Sequence, residues 1–168
     1  MKEKATKEIL VSVVMGSDSD LSIMSEATKI LEDFGIGHEL IITSAHRAPA
    51  RTAKFASEAS GRGIKVIIAG AGAAAHLAGV IASHTPLPVI GVPIDATSLK
   101  GLDALLATVQ MPGGIPVATM AIGKAGAKNA ALFAVRVLAL TDKQLAKTLD
   151  EYISQIARDV EAKQEKLT

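Results

Sequence analysis

The sequence predicts an α/β protein whose core is an open parallel sheet covered by helices on both faces. Apolar, β-branched runs recur along the chain and alternate with segments of helical periodicity, which is the pattern of successive βαβ units. Several runs contain no alternating polar residues, as is typical of strands buried on both sides. The 168 residues, 49% hydrophobic and 21% charged, suit one globular domain over residues 1–168.

Five apolar runs predict the strands. In chain order they cover residues 9–15, 39–43, 65–70, 88–92 and 115–120. Residues 66–94 contain no Asp, Glu, Lys or Arg, and a stretch of that length could be taken for a membrane span. Its prolines, its two histidines and its AGAG turn instead indicate a buried strand, a short helix and a second buried strand.

Helical patterns fill the gaps between these runs. A clean apolar stripe follows Asp20 and stops at Gly35, and a weaker pattern covers 49–60. Short helices rich in small residues are predicted at 74–83 and 98–109, and an Ala-rich helix at 124–140. The predicted α/β core therefore spans 9–140. Residues 141–168 predict an amphipathic helix with an apolar stripe made of Leu145, Leu149, Tyr152, Ile153, Ile156 and Val160. This stripe has no sheet face left to cover, so contact with another subunit is favoured over packing on its own domain.

Composition and charge exclude several classes of function. The chain has 18 basic and 17 acidic residues, so it offers no strong electrostatic attraction for nucleic acid or an anionic membrane. Cysteine is absent, which excludes thiolate metal sites and thiol nucleophiles. Residues 1–10 lack the apolar segment of a signal peptide, and we expect a cytoplasmic protein. Phosphate-binding Gly-Lys-Ser/Thr loops, Gly-x-Ser-x-Gly elbows and metal-binding histidine pairs are also missing.

The sequence MGSDSD follows the first predicted strand. In open α/β sheets, ligands bind beyond the carboxyl ends of the strands, so polar residues at these places are candidates for a site. Gly16 permits a tight turn, and Ser17 or Asp20 can cap the next helix. The same free N–H groups could receive an anion, with the carboxylates close to hydroxyl groups such as those of a ribose. A simple helix cap and an anion site both remain open from this motif.

The sequence TSAHRAP follows the second predicted strand. Arg47 carries a planar cation suited to phosphate or carboxylate, and His46 can exchange protons near neutral pH. With Ser44 these side chains form a plausible binding and catalytic group, although each could also be an ordinary loop residue.

The sequence AGAGAAAHLAG follows the third predicted strand. Gly70 and Gly72 let a ligand approach the backbone around Ala71 closely. The string lacks the third glycine and the following acidic residue of a dinucleotide fingerprint, so we reject a nicotinamide site. His76 is a candidate for function or for a satisfied structural histidine.

In this order and spacing, MGSDSD, SAHR, AGAGAAAHL, GVP and VQMPGGIPV resemble the PurE family of 5-(carboxyamino)imidazole ribonucleotide mutases. The resemblance runs from about Val11 to about Leu140. It implies a flavodoxin-like three-layer α/β/α fold, a homo-octamer with C-terminal helices on neighbouring subunits, and no metal or organic cofactor. It also implies an isomerase of purine biosynthesis that moves a carboxylate from nitrogen to carbon. A sister branch of the family is a carboxylase that uses free carbon dioxide.

The resemblance also implies a role for each candidate residue. His46 would be the catalytic proton shuttle. The substrate would be bound at its phosphate by Arg47 and Ser17, at its ribose by Asp20, and at its carboxylate by Ser44, the N–H groups around Ala71 and Gly72, and His76. The chain departs from the mutase pattern at Ala73, where glycine is expected, and at Ala78, where proline is expected.

Two other classes of function are weighed against this one. A flavin- or nucleotide-binding module without catalysis has the same fold, but the chain has only four aromatic residues to stack on a flavin. A phosphoacceptor signalling domain could use Asp18, Asp20 and Lys124, but it would leave SAHR without a purpose.

Overall fold

The computed structural model describes residues 8–167, in which strands alternate with helices until two helices follow one another at the C-terminal end. The strands are β1 (Val11–Met15), β2 (His38–Ile42), β3 (Val66–Gly72), β4 (Val89–Ile94) and β5 (Ala118–Thr119). The helices are α1 (Leu21–Asp33), α2 (Pro49–Ala59), α3 (Leu77–Ala82), α4 (Leu102–Val109), α5 (Lys124–Ala139) and α6 (Lys143–Glu165).

The five strands form one parallel sheet in the order β2-β1-β3-β4-β5. The predicted parallel α/β sheet is therefore confirmed, and this strand order is that of flavodoxin-like folds. Strand β2 lies on one side of β1, and β3, the next strand along the chain, lies on the other side of β1. The carboxyl ends of β1 and β3 thus border the crevice where such sheets bind ligands.

The sheet separates two apolar layers because alternate strand residues point to opposite faces. Val13 and the other residues on its face of the sheet pack with α1, α5 and the start of α6. Val14 points the other way and packs with α2 and α3. Strand β1 is buried along its whole length. This burial explains why its sequence reads as a continuous apolar run.

Helices α3 and α4 begin later than their sequence patterns predict. The pattern at 74–83 becomes a helix only at Leu77, and the pattern at 98–109 only at Leu102. Positive φ angles of 51° at Lys100 and 85° at Gly101 interrupt the second pattern, and a right-handed helix cannot pass through such residues. In the first pattern, the N–H groups of Ala75 and His76 each donate at 2.8 Å to a carbonyl only two residues back, which is turn rather than helix geometry.

Strand β5 is much shorter than the predicted run over 115–120. Only Ala118 and Thr119 pair with β4. Pro116 has no N–H to donate to a ladder, and the preceding loop contains Pro112 and two glycines. The run therefore contributes only a two-residue edge strand, and its first residues belong to the preceding loop.

Helix α6 packs on its own domain in its first half only. Asp142 caps it by accepting hydrogen bonds from the N–H groups of the first turn. Leu145 and Leu149 are buried, and Tyr152 meets the Phe34 ring edge-on at 5.2 Å between centroids. The apolar stripe then continues into solvent, where Ile153, Ile156 and Val160 are 41%, 47% and 61% exposed.

Within residues 8–167, none of the helices combines the length and the apolar character that a membrane crossing requires.

Candidate active site

A cavity of about 360 Å³ lies at the carboxyl edge of the sheet, between the loops that follow β1, β2 and β3. We call it the main cavity. Its lining comprises Gly16, Ser17, Ser19, Asp20, Ser44, Ala45, His46, Arg47, Ala71, Gly72, Ala73, Ala74, Leu77 and Ala96. Every predicted site residue except His76 is in this set. Three motifs that are distant in sequence therefore meet at the crevice that the strand order creates.

The loop after β1 is held by a reciprocal cap. The Ser17 hydroxyl accepts a hydrogen bond from the Ser19 N–H at 3.4 Å, and the Ser17 N–H donates to Asp20 Oδ2 at 3.2 Å. The Ser17 hydroxyl also donates to Asp18 Oδ1 at 3.0 Å. The motif is thus a helix cap, and two of its capping residues, Ser17 and Asp20, still line the cavity.

Asp20 is a buried carboxylate at the floor of the site. It is only 6% exposed. Burial raises the pKa of Asp20 above its ordinary value of 3.8, although hydrogen bonds from Ser17, Ser19 and Gly16 oppose this shift. A buried acceptor of this kind is well suited to neutral hydroxyl donors, which add hydrogen bonds without adding negative charge.

The loop after β2 is tied to the loop after β1. The Arg47 N–H donates to the Ser44 hydroxyl at 3.2 Å, and the Arg47 side-chain Nη2 donates to the Gly16 carbonyl at 3.1 Å. The guanidinium has five N–H donors in all, so most of its hydrogen-bonding capacity stays available. Arg47 is therefore placed across the mouth of the cavity with donors to offer a ligand.

His46 and His76 form a direct pair. His46 Nε2 lies 2.8 Å from His76 Nδ1, and the two rings meet at 85° with 5.0 Å between centroids. Both side chains are exposed to solvent. One of the two nitrogens donates and the other accepts in such a hydrogen bond, so the bond fixes the orientation of one ring against the other. His76 thus reaches the cavity through His46 rather than by lining it.

The end of β3 forms a close-packed wall. Gly72 has no room for a side chain, because a Cβ there would lie 2.5 Å from the Ala96 Cβ. Ala73 follows with a φ of 53°, in the region that glycine adopts most easily. This geometry favours glycine, the residue that the family resemblance leads one to expect at this position. The N–H groups of Ala73 and Ala74 donate to no other described residue, and both alanines line the cavity.

A second cavity shares one side with the first. This open recess of about 440 Å³ is lined by Gly16, Ser17, Asp18, Ile42, Thr43, Ser44, Arg47, Ala48 and Arg51. Arg47 borders both spaces. Arg51 and Ala96 are not among the site residues predicted from the sequence. Ala96 follows the fourth strand, so the rule that sites lie at strand ends could have found it, whereas Arg51 carries no comparable signal.

The phosphoacceptor alternative gains no support from this geometry. Lys124 lies at the start of α5 and lines neither cavity. Among residues 8–167 no group of three or more histidine and acidic side chains is arranged to hold a metal ion.

Comparison with known proteins agrees with the resemblance of the motifs. The AIR carboxylase family profile matches residues 10–159. The chain is 56% identical to the N5-carboxyaminoimidazole ribonucleotide mutase of Pyrococcus horikoshii, over 94% of this chain and 88% of that protein. It is 52% identical to the Thermotoga maritima mutase, over 94% and 91%. The crystal structure of Treponema denticola PurE superposes with a TM-score of 0.85 at 29% identity, covering 95% of this chain and 98% of that chain. The chain belongs to the AIR carboxylase family.

Proposed function

We propose that this protein is an N5-carboxyaminoimidazole ribonucleotide mutase. It is an isomerase that converts 5-(carboxyamino)imidazole ribonucleotide into 4-carboxy-5-aminoimidazole ribonucleotide in de novo purine (IMP) biosynthesis. One observation carries the proposal: a proton-exchanging imidazole, a guanidinium and a buried carboxylate border one cavity in a chain that is 56% identical to a mutase.

Different residues of the main cavity bind different parts of the substrate in this proposal. Arg47, with the Ser17 hydroxyl, binds the phosphate, and Asp20 accepts hydrogen bonds from the ribose hydroxyls. The migrating carboxylate lies on the β3 side, between Ser44 and the backbone of Ala71 and Gly72. The unengaged N–H groups of Ala73 and Ala74 extend that anion-binding surface.

His46 donates one proton to the substrate and later takes one proton back from it. As imidazolium it protonates the exocyclic nitrogen, the nitrogen–carboxyl bond breaks, and carbon dioxide is released in the cavity. The electron-rich ring carbon then forms a bond to the carbon dioxide, and neutral His46 removes the proton from that carbon. The proton is returned and the carboxylate has moved, so no external energy source is needed. Retaining carbon dioxide next to the ring carbon makes its recapture effectively intramolecular.

His76 supports this cycle by holding the His46 ring. The 2.8 Å bond occupies His46 Nε2 in the free protein. The proton that His46 exchanges is therefore carried by its other nitrogen, Nδ1. Through this bond His76 fixes the ring orientation and acts as a positioning residue.

The test uses the labile carbamate substrate, with conversion followed by proton NMR. His46→Asn is expected to lose turnover by at least about a hundredfold, the range for a general acid–base group, while the product still binds. His84→Asn is the matched control, because His84 is also exposed but lines a different pocket, at the opposite edge of the sheet. Near-normal turnover by His46→Asn would remove His46 from its role.

Arg47→Ala tests the phosphate assignment. We expect a higher KM with a smaller change in kcat, because the phosphate does not change charge during the reaction. Unchanged KM with a collapsed kcat would contradict this assignment.

The second candidate is the carboxylase reaction, which the name of the matching family profile favours. A carboxylase would consume aminoimidazole ribonucleotide with bicarbonate at low concentration, whereas a mutase consumes the carbamate efficiently. Supplying each substrate separately distinguishes the two reactions.

The assembly and location belong to the same proposal. We expect a homo-oligomer, an octamer in view of the family resemblance, with the exposed stripe at Ile153, Ile156 and Val160 covered by a neighbour. We expect a cytoplasmic enzyme that binds no metal or organic cofactor. Light scattering of the purified protein measures the oligomeric state, and Ile156→Glu should lower it.

A further inference from the structure

We infer that Arg51 is a second phosphate-binding guanidinium and that the substrate phosphate lies in the open recess between Arg47 and Arg51. The ribose and the base then occupy the main cavity. This inference rests on the proposed ribonucleotide substrate and adds to it a binding residue and a position for the phosphate.

The first support is the placement of the two guanidiniums. Arg47 precedes α2 and Arg51 lies in its first turn. Both line the recess, and Arg47 also lines the main cavity. A nucleotide that spans the two spaces would keep Arg47 in contact at their boundary.

The second support is the charge at the recess. Asp18 lines it too, and one carboxylate offsets one guanidinium. Asp20 lies in the adjoining main cavity. With Arg47 alone, the two carboxylates would leave the region negative, which would repel a phosphate dianion. Arg51 supplies the missing positive charge.

The third support is that the Arg51 guanidinium is available to bind a phosphate. Arg51 forms no hydrogen bond or ion pair with another described residue, and Asp18 already accepts hydrogen bonds from the Ser17 hydroxyl and the Ser19 N–H. Helix α2 also begins without a side-chain cap at Ala48. The first-turn N–H groups of α2 thus add positive potential on the same side as the two guanidiniums.

The main test is the kinetics of Arg51→Ala. We expect KM for the carbamate substrate to rise about tenfold, the loss typical of one charge-assisted contact, with kcat within about twofold. Lys54→Ala is the matched control, because Lys54 lies on the same helix, is exposed, pairs weakly with Glu58 at 3.9 Å and lines neither space. The control removes the same charge and should leave KM within about twofold of the wild-type value.

A second measurement does not depend on turnover. Ribose 5-phosphate is titrated into wild type, Arg51→Ala and Lys54→Ala, and binding is followed by calorimetry. We expect only Arg51→Ala to bind about tenfold more weakly, and ribose without phosphate to show no difference among the three proteins.

The outcomes separate this inference from the proposed function. If wild type converts the carbamate but Arg51→Ala matches it in KM and in ribose 5-phosphate affinity, the inference is wrong and the function stands. Equal effects of Arg51→Ala and Lys54→Ala would mean that binding responds only to the overall positive charge of the protein, and this result would also overturn the inference. If wild type fails to convert the carbamate while its ribose 5-phosphate affinity depends on Arg51, the proposed reaction fails and the phosphate site stands.

Discussion

Gly70 in β3 and Met24 in α1 are packed so closely that a single methyl group should disturb them. A Cβ built on Gly70 would lie 2.2 Å from the Met24 sulfur and within 3.0 Å of two neighbouring side-chain carbons. Met24 is fully buried, so it cannot swing into solvent. Because unstrained contacts of this kind lie near 3.5–4 Å, the sulfur would have to move by more than about 1 Å. We expect Gly70→Ala to destabilise the fold by about 1–3 kcal/mol through overpacking.

A double-mutant cycle tests the cause of that loss. Met24→Ala alone should cost about 2–5 kcal/mol, because it leaves a cavity in the core. In that background the new methyl of Gly70→Ala enters empty space, so its cost should fall to nearly zero and the two changes should be coupled by at least about 1 kcal/mol. Gly61→Ala is the control, since a Cβ at Gly61 meets nothing within 4 Å.

Urea unfolding followed by circular dichroism, at one protein concentration, gives the four free energies of unfolding. Additive effects of the two substitutions would refute the explanation by steric overlap. So would a Gly70→Ala variant that is no less stable than Gly61→Ala.

Three further predictions concern the loops and the edge of the sheet. Ala73→Gly relieves a positive φ but adds unfolded-state entropy, so we expect a net gain of about 0.5 kcal/mol in thermal unfolding. Burial raises the pKa of Asp20, so ionised Asp20 weakens the fold, and wild type should gain stability as the pH falls through that raised value toward 3.8. Asp20→Asn should be more stable than wild type at pH 7 while losing substrate affinity, and the stability difference should vanish in acid. Burial of Glu39 opposes its ionisation and acts to raise its pKa. Hydrogen bonds from both Arg62 Nη atoms and from a serine hydroxyl outweigh this burial effect, so the pKa of Glu39 lies below its ordinary 4.5. Arg62→Ala should therefore cost about 1 kcal/mol in urea unfolding at pH 7, and this cost should fade as the pH falls below 4.5.

The residues of the main cavity could be predicted because the polar and glycine-rich motifs directly follow predicted strands in the sequence. Ser17, Ser44 and Gly72 each lie at or just beyond the carboxyl end of an apolar run, and parallel strands bring such ends together. The runs of β1, β3 and β4 are visible in sequence because these strands are buried on both faces, whereas β2 is a partly exposed edge strand in which Leu40 and Ile42 reach solvent.

The remaining features depend on geometry that periodicity does not encode. The pairing of His46 with His76 spans 30 residues and is set by how two loops fold back. The late start of α4 arises from positive φ at Lys100 and Gly101, and that of α3 from the tight turns over residues 73–76. Arg51 reads in sequence as an ordinary helix-surface cation, and only the recess beside it makes it a candidate.

The contact between Tyr152 and Phe34 has a practical consequence for following this protein in solution. The chain has one tyrosine and no tryptophan, so its intrinsic ultraviolet emission comes from that single ring. The ring reports whether α6 is seated against the residue that follows α1, and it is silent about the sheet interior. Detachment of the C-terminal helix and melting of the core can therefore be recorded as separate events, the first by tyrosine emission and the second by far-ultraviolet dichroism.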